Sequence, residues 1–311
     1  MKRMTLRRDL LRVAAGVASL PVLAMGQGAP ASVPGPGVTR PLPDGGGRLP
    51  VIGMGTWITF NVGGDAQAIA SRAEVMRAFF ARGGGMVDSS PMYGSSEAVV
   101  GKCLEMLGQP AELFAATKTW SSSVAEGREQ WQQSRRLWGL DRFQLLQVHN
   151  LLAWREQLAW LADEKAAGRV RFVGVTTSHG RRHDDLERIM RDSPIDFVQL
   201  TYNAIDRAAE ARLLPLAAER GIAVVANRPF RRGWLPRRLS GVALPGWAAD
   251  IGCAHWAQVL LKWIVANPVI TCAIPATSRV DHMIQNMAAG LGPLPDAQLR
   301  ARIGRVVAEL V

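Results

Sequence analysis

The chain has 311 residues, 48% hydrophobic and 20% charged, an ordinary globular balance that excludes a wholly disordered or membrane-embedded protein. Its net charge of +11 resides in scattered arginine pairs (Arg181-Arg182, Arg231-Arg232, Arg237-Arg238) rather than one basic stripe. Such a field draws nucleotide phosphates and other anions. No nucleic-acid reader motif accompanies it, so nucleic acid is not an expected partner.

The start of the chain reads as a targeting segment. Lys2, Arg3, Arg7, Arg8 and Arg12 precede an apolar, Ala-rich stretch from Val13 to Met25, too short to span a bilayer comfortably. The pair Arg7-Arg8 before "DLLR" resembles a twin-arginine export signal, which makes the export machinery an expected partner and the periplasm, or another exported compartment, the expected location. Residues 1–31 are assigned to this signal, and 32–49, rich in Gly and Pro, to a linker. Folded structure is expected to begin near Pro50. With five basic residues and one acid removed at 1–31, the remainder carries +7 and has no expected membrane span.

From Pro50, short apolar runs alternate with amphipathic segments. Strand-like runs are 50–56, 85–90, 113–118, 143–149, 170–176, 197–203, 222–227 and 269–275; helix-like segments lie at 72–83, 95–107, 122–138, 154–167, 182–192, 207–220, 254–267 and 280–289. Unbroken apolar runs suit parallel strands covered on both faces. Eight such units in one domain, 50–311, predict an α/β fold of the (β/α)₈ TIM-barrel type. No G-x-G-x-x-G turn follows the first strand, which disfavours an open doubly wound sheet. The long connection 228–250 reads as a cover over the site.

Four polar residues end or follow these apolar strands: Asp88 and Tyr93 in "VDSSPMYG", Lys118 in "ATKTW" and His149 in "LLQVHN". In a barrel the strand ends meet at one rim, so residues distant in sequence converge there. A phenol is a weak acid at neutral pH, a neighbouring ammonium lowers its pKa, an acid balances that ammonium, and an imidazole orients a carbonyl. Asp88 and Lys118 by themselves read equally well as an ion pair; the set of four points to carbonyl chemistry. Trp57 and Trp120 follow site residues and are candidates for a substrate-pocket lining. His179, His183 and His255 lack metal-ligand spacing, and no metal is expected. His282 reads as structural. Cys103, Cys253 and Cys272 are odd in number, form no C-x-x-C and have apolar neighbours, so they read as buried core residues.

The stretches "LPVIGMGTW", "MVDSSPMYGSSEAVVG", "ATKTW", "LLQVHN", "FVQLTYN" and "AIPATSRVDHMIQN", in this order between residues 49 and 286, resemble the aldo-keto reductase family. The resemblance implies that Asp88, Tyr93, Lys118 and His149 are the catalytic tetrad, Tyr93 being the general acid. It implies NADP(H) as cofactor: Gly55, Thr56 and Asp88 near the nicotinamide ribose, Gln199 on its amide, and Ile274, Thr277, Ser278, Arg279 and Asn286 on the adenine half. Arg279 favours NADP over NAD, because its fork of donors suits a phosphate. The substrate would be a small carbonyl compound or alcohol. Thr176 and Thr177 stand where the family has Ser-Asn, and "NRPF" puts Asn227 where an aromatic ring stacks on the nicotinamide, with Pro229 and Phe230 following. These departures, with an export signal, leave a second reading: an exported nucleotide-binding accessory protein that turns nothing over.

Overall fold

A computed structural model describes residues 37–311 of the chain. The expected export signal lies outside the described residues, as does the first part of the expected linker.

The linker expectation fails over its second half. Thr39–Pro41 (β1) and Arg48–Pro50 (β2) pair antiparallel as a hairpin, so order begins before Pro50. The short strands are hidden in sequence by their prolines and by the glycines of the turn. Asp44 in that turn is gripped from below the barrel by Arg171, at 2.9 and 3.0 Å.

Eight strands then form one parallel sheet in chain order: β3 (Met54–Gly55), β4 (Met86–Asp88), β5 (Phe114–Thr119), β6 (Phe143–Val148), β7 (Val170–Thr176), β8 (Phe197–Thr201), β9 (Ala223–Asn227) and β10 (Ile270–Ala273). The chain entering β3 closes the cylinder against β10: Gly53 N–H donates to Ala273 O at 2.9 Å, and Ala273 N–H to Val51 O at 2.9 Å. The expected barrel is what forms, with the first strand shorter than the 50–56 run.

The helices are α1 (Ala66–Phe80), α2 (Ser96–Leu107), α3 (Val124–Trp138), α4 (Trp154–Ala166), α5 (His183–Asp192), α6 (Leu213–Arg220), α7 (Trp234–Arg238), α8 (Trp247–Asp250), α9 (Trp256–Val265), α10 (Val280–Ala288) and α11 (Ala297–Leu310). Their ends follow local chemistry. The Asp65 carboxylate accepts from Gln67 and Ala68 N–H at the start of α1, and Gly139 stops α3 in the left-handed conformation. The cover 228–250 is partly helical, holding α7 and α8. The sequence reading did not assign α11, although Asp296 caps it and Ile303 and Val307 are buried one turn apart.

Two apolar layers result. One lies between sheet and helices; the other fills the cylinder, where Leu42 and Leu49 of the hairpin join Phe114, Phe172, Phe197 and Val225. Lys262 of α9 is buried and gives its three hydrogens to the carbonyls of Ile251, Leu291 and Pro293, at 2.7, 2.6 and 2.8 Å, tying the cover to the segment before α11. All three cysteines are buried and free, as read from sequence.

Candidate active site

Parallel strands turn their C-terminal ends to one rim, and the polar residues at those ends meet there. Asp88 is the last residue of β4 and Lys118 the penultimate residue of β5; Lys118 Nζ is 2.7 Å from Asp88 Oδ2. Burying an ammonium is costly unless every hydrogen finds a partner. A second one goes to Ser89 O at 2.7 Å. The other Asp88 oxygen accepts from Gln199 Nε2 at 3.1 Å and, at 3.4 Å, from Gln147 Nε2. Burial pushes the Lys118 ammonium below the usual lysine range, and Asp88 pulls it back up.

Tyr93 ends a single turn of helix, Pro91–Tyr93, whose prolines and small residues bring the phenol back over the strand ends. Lys118 Nζ lies 5.2 Å from the centroid of its ring. The His149 ring stands edge-on to it at 5.6 Å, and the Trp57 ring lies at 6.5 Å on another side. The four residues of the expected tetrad are therefore gathered around one phenol.

The phenol's acidity departs from expectation. Burial, then the Asp88 charge, pushes Tyr93 well above the ordinary tyrosine value. Lys118 does not offset this: its ammonium stands over the ring and donates to Asp88 and to Ser89 O rather than to the phenol oxygen. His149 is pushed well below the ordinary histidine range by burial and by Lys118, so it is neutral at physiological pH. Ser90 Oγ accepts from Met92 N–H at 3.2 Å and lies 2.9 Å from His149 Nδ1. That contact holds the ring in place, with Nδ1 against Ser90.

A cavity of about 380 Å³ opens over these residues. Its wall includes Gly55, Thr56, Trp57, Asp88, Tyr93, His149, Thr176, Gln199, Asn227, Pro229, Phe230 and Ile274, all expected from sequence. Gly55 is required there: a Cβ would come within 3.0 Å of Ile274 O. Lys118 stands behind Asp88, fully buried. Thr277, Ser278, Arg279 and Asn286 lie beyond the wall, at the start of α10 and within it. Arg279 is exposed and forms a bidentate pair with Asp281, at 3.0 and 2.6 Å.

Trp120 is a correction. It is 44% exposed and is not part of the cavity wall; β5 ends at Thr119, so the alternation that aims Lys118 inward stops before it. Its backbone N–H and C=O are instead both held by the Gln130 side chain.

Several residues escaped the sequence reading. Ile58, Met92, Asn150, His179, Arg228 and Arg232 also line the cavity. Glu97, in the first turn of α2, is 3% exposed and accepts from Thr117 Oγ1 at 2.6 Å and Ser134 Oγ at 2.9 Å. Burial outweighs these hydroxyls and nearby Lys118, raising its carboxyl to about 7.

With the site on the page, likeness to known proteins becomes specific. The sequence profile of the aldo/keto reductase family matches residues 51–303. This chain belongs to the aldo/keto reductase family. Relatives are distant. An uncharacterized oxidoreductase of Schizosaccharomyces pombe is 27% identical over 53% of this chain, and the aldo-keto reductase YhdN of Bacillus subtilis is 26% identical over 61%. The matches span 53% and 61% of those relatives' own lengths, under two thirds in each case. The aldo/keto reductase of Klebsiella pneumoniae, solved with NADP and acetate, superposes with a TM-score of 0.72 at 22% identity, covering 86% of this chain and 95% of that one. At that identity it speaks for the barrel alone.

Proposed function

We propose that this aldo-keto reductase interconverts a carbonyl compound and an alcohol with NADP(H), Tyr93 exchanging the proton. The reading rests chiefly on the phenol held between buried Lys118 and neutral His149 on the floor of one cavity. The relatives support the carbonyl chemistry, though not the choice of NADP(H), one being an NADH-specific methylglyoxal reductase of Escherichia coli at 26% identity over 52% of this chain.

The walls fit a dinucleotide. Thr177 and Arg228, both in the cavity wall, each hold a buried polar atom without a partner, Oγ1 and Nη1. Gln199 and Thr176 would face the nicotinamide, and the run from Ile274 to Asn286 the adenine half. Arg279 would have to exchange Asp281 for a 2′-phosphate. Phe230, half-buried in the wall, supplies the aromatic surface that Asn227 lacks; Asn227 is itself held by Thr201 Oγ1 and Thr177 O, at 2.7 and 2.8 Å.

The dinucleotide supplies the hydride that adds to the carbonyl carbon. As the carbon–oxygen π pair moves onto oxygen, Tyr93 gives that oxygen its proton. The phenol keeps its hydrogen until then because burial and Asp88 oppose ionisation. The phenolate that forms has the Lys118 ammonium over its ring, and His149, edge-on beside it, is placed to orient the carbonyl oxygen. Asp88 keeps Lys118 charged and fixed.

The test is NADPH oxidation by purified protein across aldehydes and ketones, beside Tyr93→Phe. The variant is expected to lose about 10²–10⁴-fold in kcat. Equal rates would remove Tyr93 from the chemistry. Dinucleotide binding without turnover of any substrate would establish the accessory reading, which the substitution at Asn227 motivates. Export by the twin-arginine route remains part of the proposal, supported by the sequence of residues 1–31. Replacing Arg7 and Arg8 by lysine should leave the precursor in the cytoplasm.

A further inference from the structure

One side of the cavity mouth is crowded with cations that do not take part in the proton transfer. Arg228, Arg231 and Arg232 follow β9 with φ of 53°, 46° and 60°, and His179, across the mouth after β7, has φ of 63°. Side chains other than glycine resist this left-handed region, and a cluster of such residues at a pocket points to use. The surroundings of each arginine differ. Arg231 Nε is paired with Asp206 at 3.0 Å. Arg228 shares the influence of Asp206. Arg181 lies against His179 Nδ1 at 3.2 Å. Arg232 stands apart: among the described residues its guanidinium meets no carboxylate within ion-pair distance, and it lies over the Trp57 ring at 4.9 Å. The other neighbour of that ring is the Tyr93 phenol.

Charge at the mouth is therefore unbalanced. Among the lining residues Asp88 is the one carboxylate, and Lys118 neutralises it. Burial and the surrounding arginines, Arg228 foremost, hold His179 below the ordinary histidine range. A planar guanidinium with free donors, stacked on an indole and one ring away from the proton donor, matches a carboxylate.

We infer that the physiological substrate carries a carboxylate beyond its reacting carbon, and that Arg232 anchors it. The inference rests on the reductase reading and narrows it to acid-bearing aldehydes, ketones or alcohols. Arg232 is assigned to the substrate rather than to the dinucleotide phosphates because its guanidinium lies over the Trp57 ring, which itself neighbours Tyr93.

The experiment compares para-formylbenzoate with its neutral methyl ester in the parent, Arg232→Met and Arg232→Lys. Methionine keeps apolar cover on Trp57 without the charge. The parent should favour the carboxylate by about tenfold or more in kcat/KM, and Arg232→Met should abolish the preference, mainly through KM, with partial rescue by lysine. NADPH affinity, followed by fluorescence, should shift less than the substrate preference. A second readout needs no turnover: calorimetry of para-(hydroxymethyl)benzoate and its methyl ester on the protein holding NADPH, a combination that cannot react. Equal binding of the two alcohols overturns the inference while leaving the reductase intact. A preference kept in Arg232→Met, with NADPH binding weakened, makes Arg232 a phosphate contact and also overturns it. Absence of turnover with the binding preference kept removes the reductase reading and leaves carboxylate recognition by Arg232 standing.

Discussion

The two ends of this barrel obey opposite rules. At the lower end β5 and β8 begin on aromatic rings and β7 carries one at its third residue: Phe114 and Phe172 are stacked at 6.2 Å, and Phe172 and Phe197 lie 5.3 Å apart. Leu42 and Leu49 of the hairpin close over them. At the upper end β4, β5, β7 and β8 carry Asp88, Lys118, Thr176 and Gln199 at or near their last residues, and the loops beyond carry nearly all the backbone strain. Among the described residues, of the ten other than glycine with positive φ, nine lie beyond upper strand ends; Gln109 is the exception. Each residue held there costs about 1–2 kcal/mol. Fold stability is thus concentrated at one end and tolerated strain at the other, and the chemistry sits where the strain is.

Substitutions at the two ends should separate these roles. The largest effect belongs to the mouth. Lys118→Met leaves Asp88 buried without its cation, so turnover should vanish and stability fall by about 3–5 kcal/mol, read from steady-state rates and urea midpoints. Below, Phe197→Ala should cost a similar 3–5 kcal/mol by opening a cavity while kcat stays near the parent value. A variant of Phe197 that keeps its stability and loses its rate would erase the distinction between the ends.

Glu97 sharpens the comparison, since it is a polar group buried beneath the mouth. Its carboxyl titrates near 7 when folded, above its unfolded value. The folded state therefore holds a proton that the unfolded state releases. That contribution is complete below the unfolded pKa of about 4.3 and is lost as pH rises towards 7, an effect on the order of 3 kcal/mol. His149 works in the opposite sense, its neutral folded form losing stability as pH falls below about 6.5. Thermal melts from pH 5 to 8 should show a smaller decline in Glu97→Gln than in the parent. An unchanged slope would mean that Glu97 is already ionised in the folded protein.

The smallest expected effect is at the hairpin. Asp44→Ala breaks a largely exposed pair with Arg171 and should cost at most about 1 kcal/mol. Faster amide exchange confined to 39–50, with unaltered kcat, is the expected signature.

How much of this was legible in the sequence follows from the same division. The barrel could be read from its alternating units, and Asp88, Lys118 and His149 stood out because an apolar strand that ends on a charged or imidazole residue is conspicuous; Tyr93 was singled out with them through the family resemblance. The hairpin could not, because its two three-residue strands are shorter than the turn signals around them. Glu97 carries no mark in the sequence; only the packing of α2 against Thr117 and Ser134 buries it. Arg232 was visible as one of a scattered pair, but its relation to Trp57 depends on how the 228–250 cover folds back. Trp120 was a candidate because it follows Lys118 closely, but proximity in sequence does not aim a side chain once the strand has ended at Thr119. The α11 signal, capped by Asp296, was present and went unassigned.

The packed interior of the cylinder has a kinetic consequence. A barrel filled with side chains and capped at its base is a cul-de-sac, and on the reductase reading two reactants sharing its one mouth must queue. Whichever settles deeper arrives first and departs last. Product-inhibition patterns should accordingly show a compulsory order, with the free dinucleotide and its oxidised form competing for the bare protein.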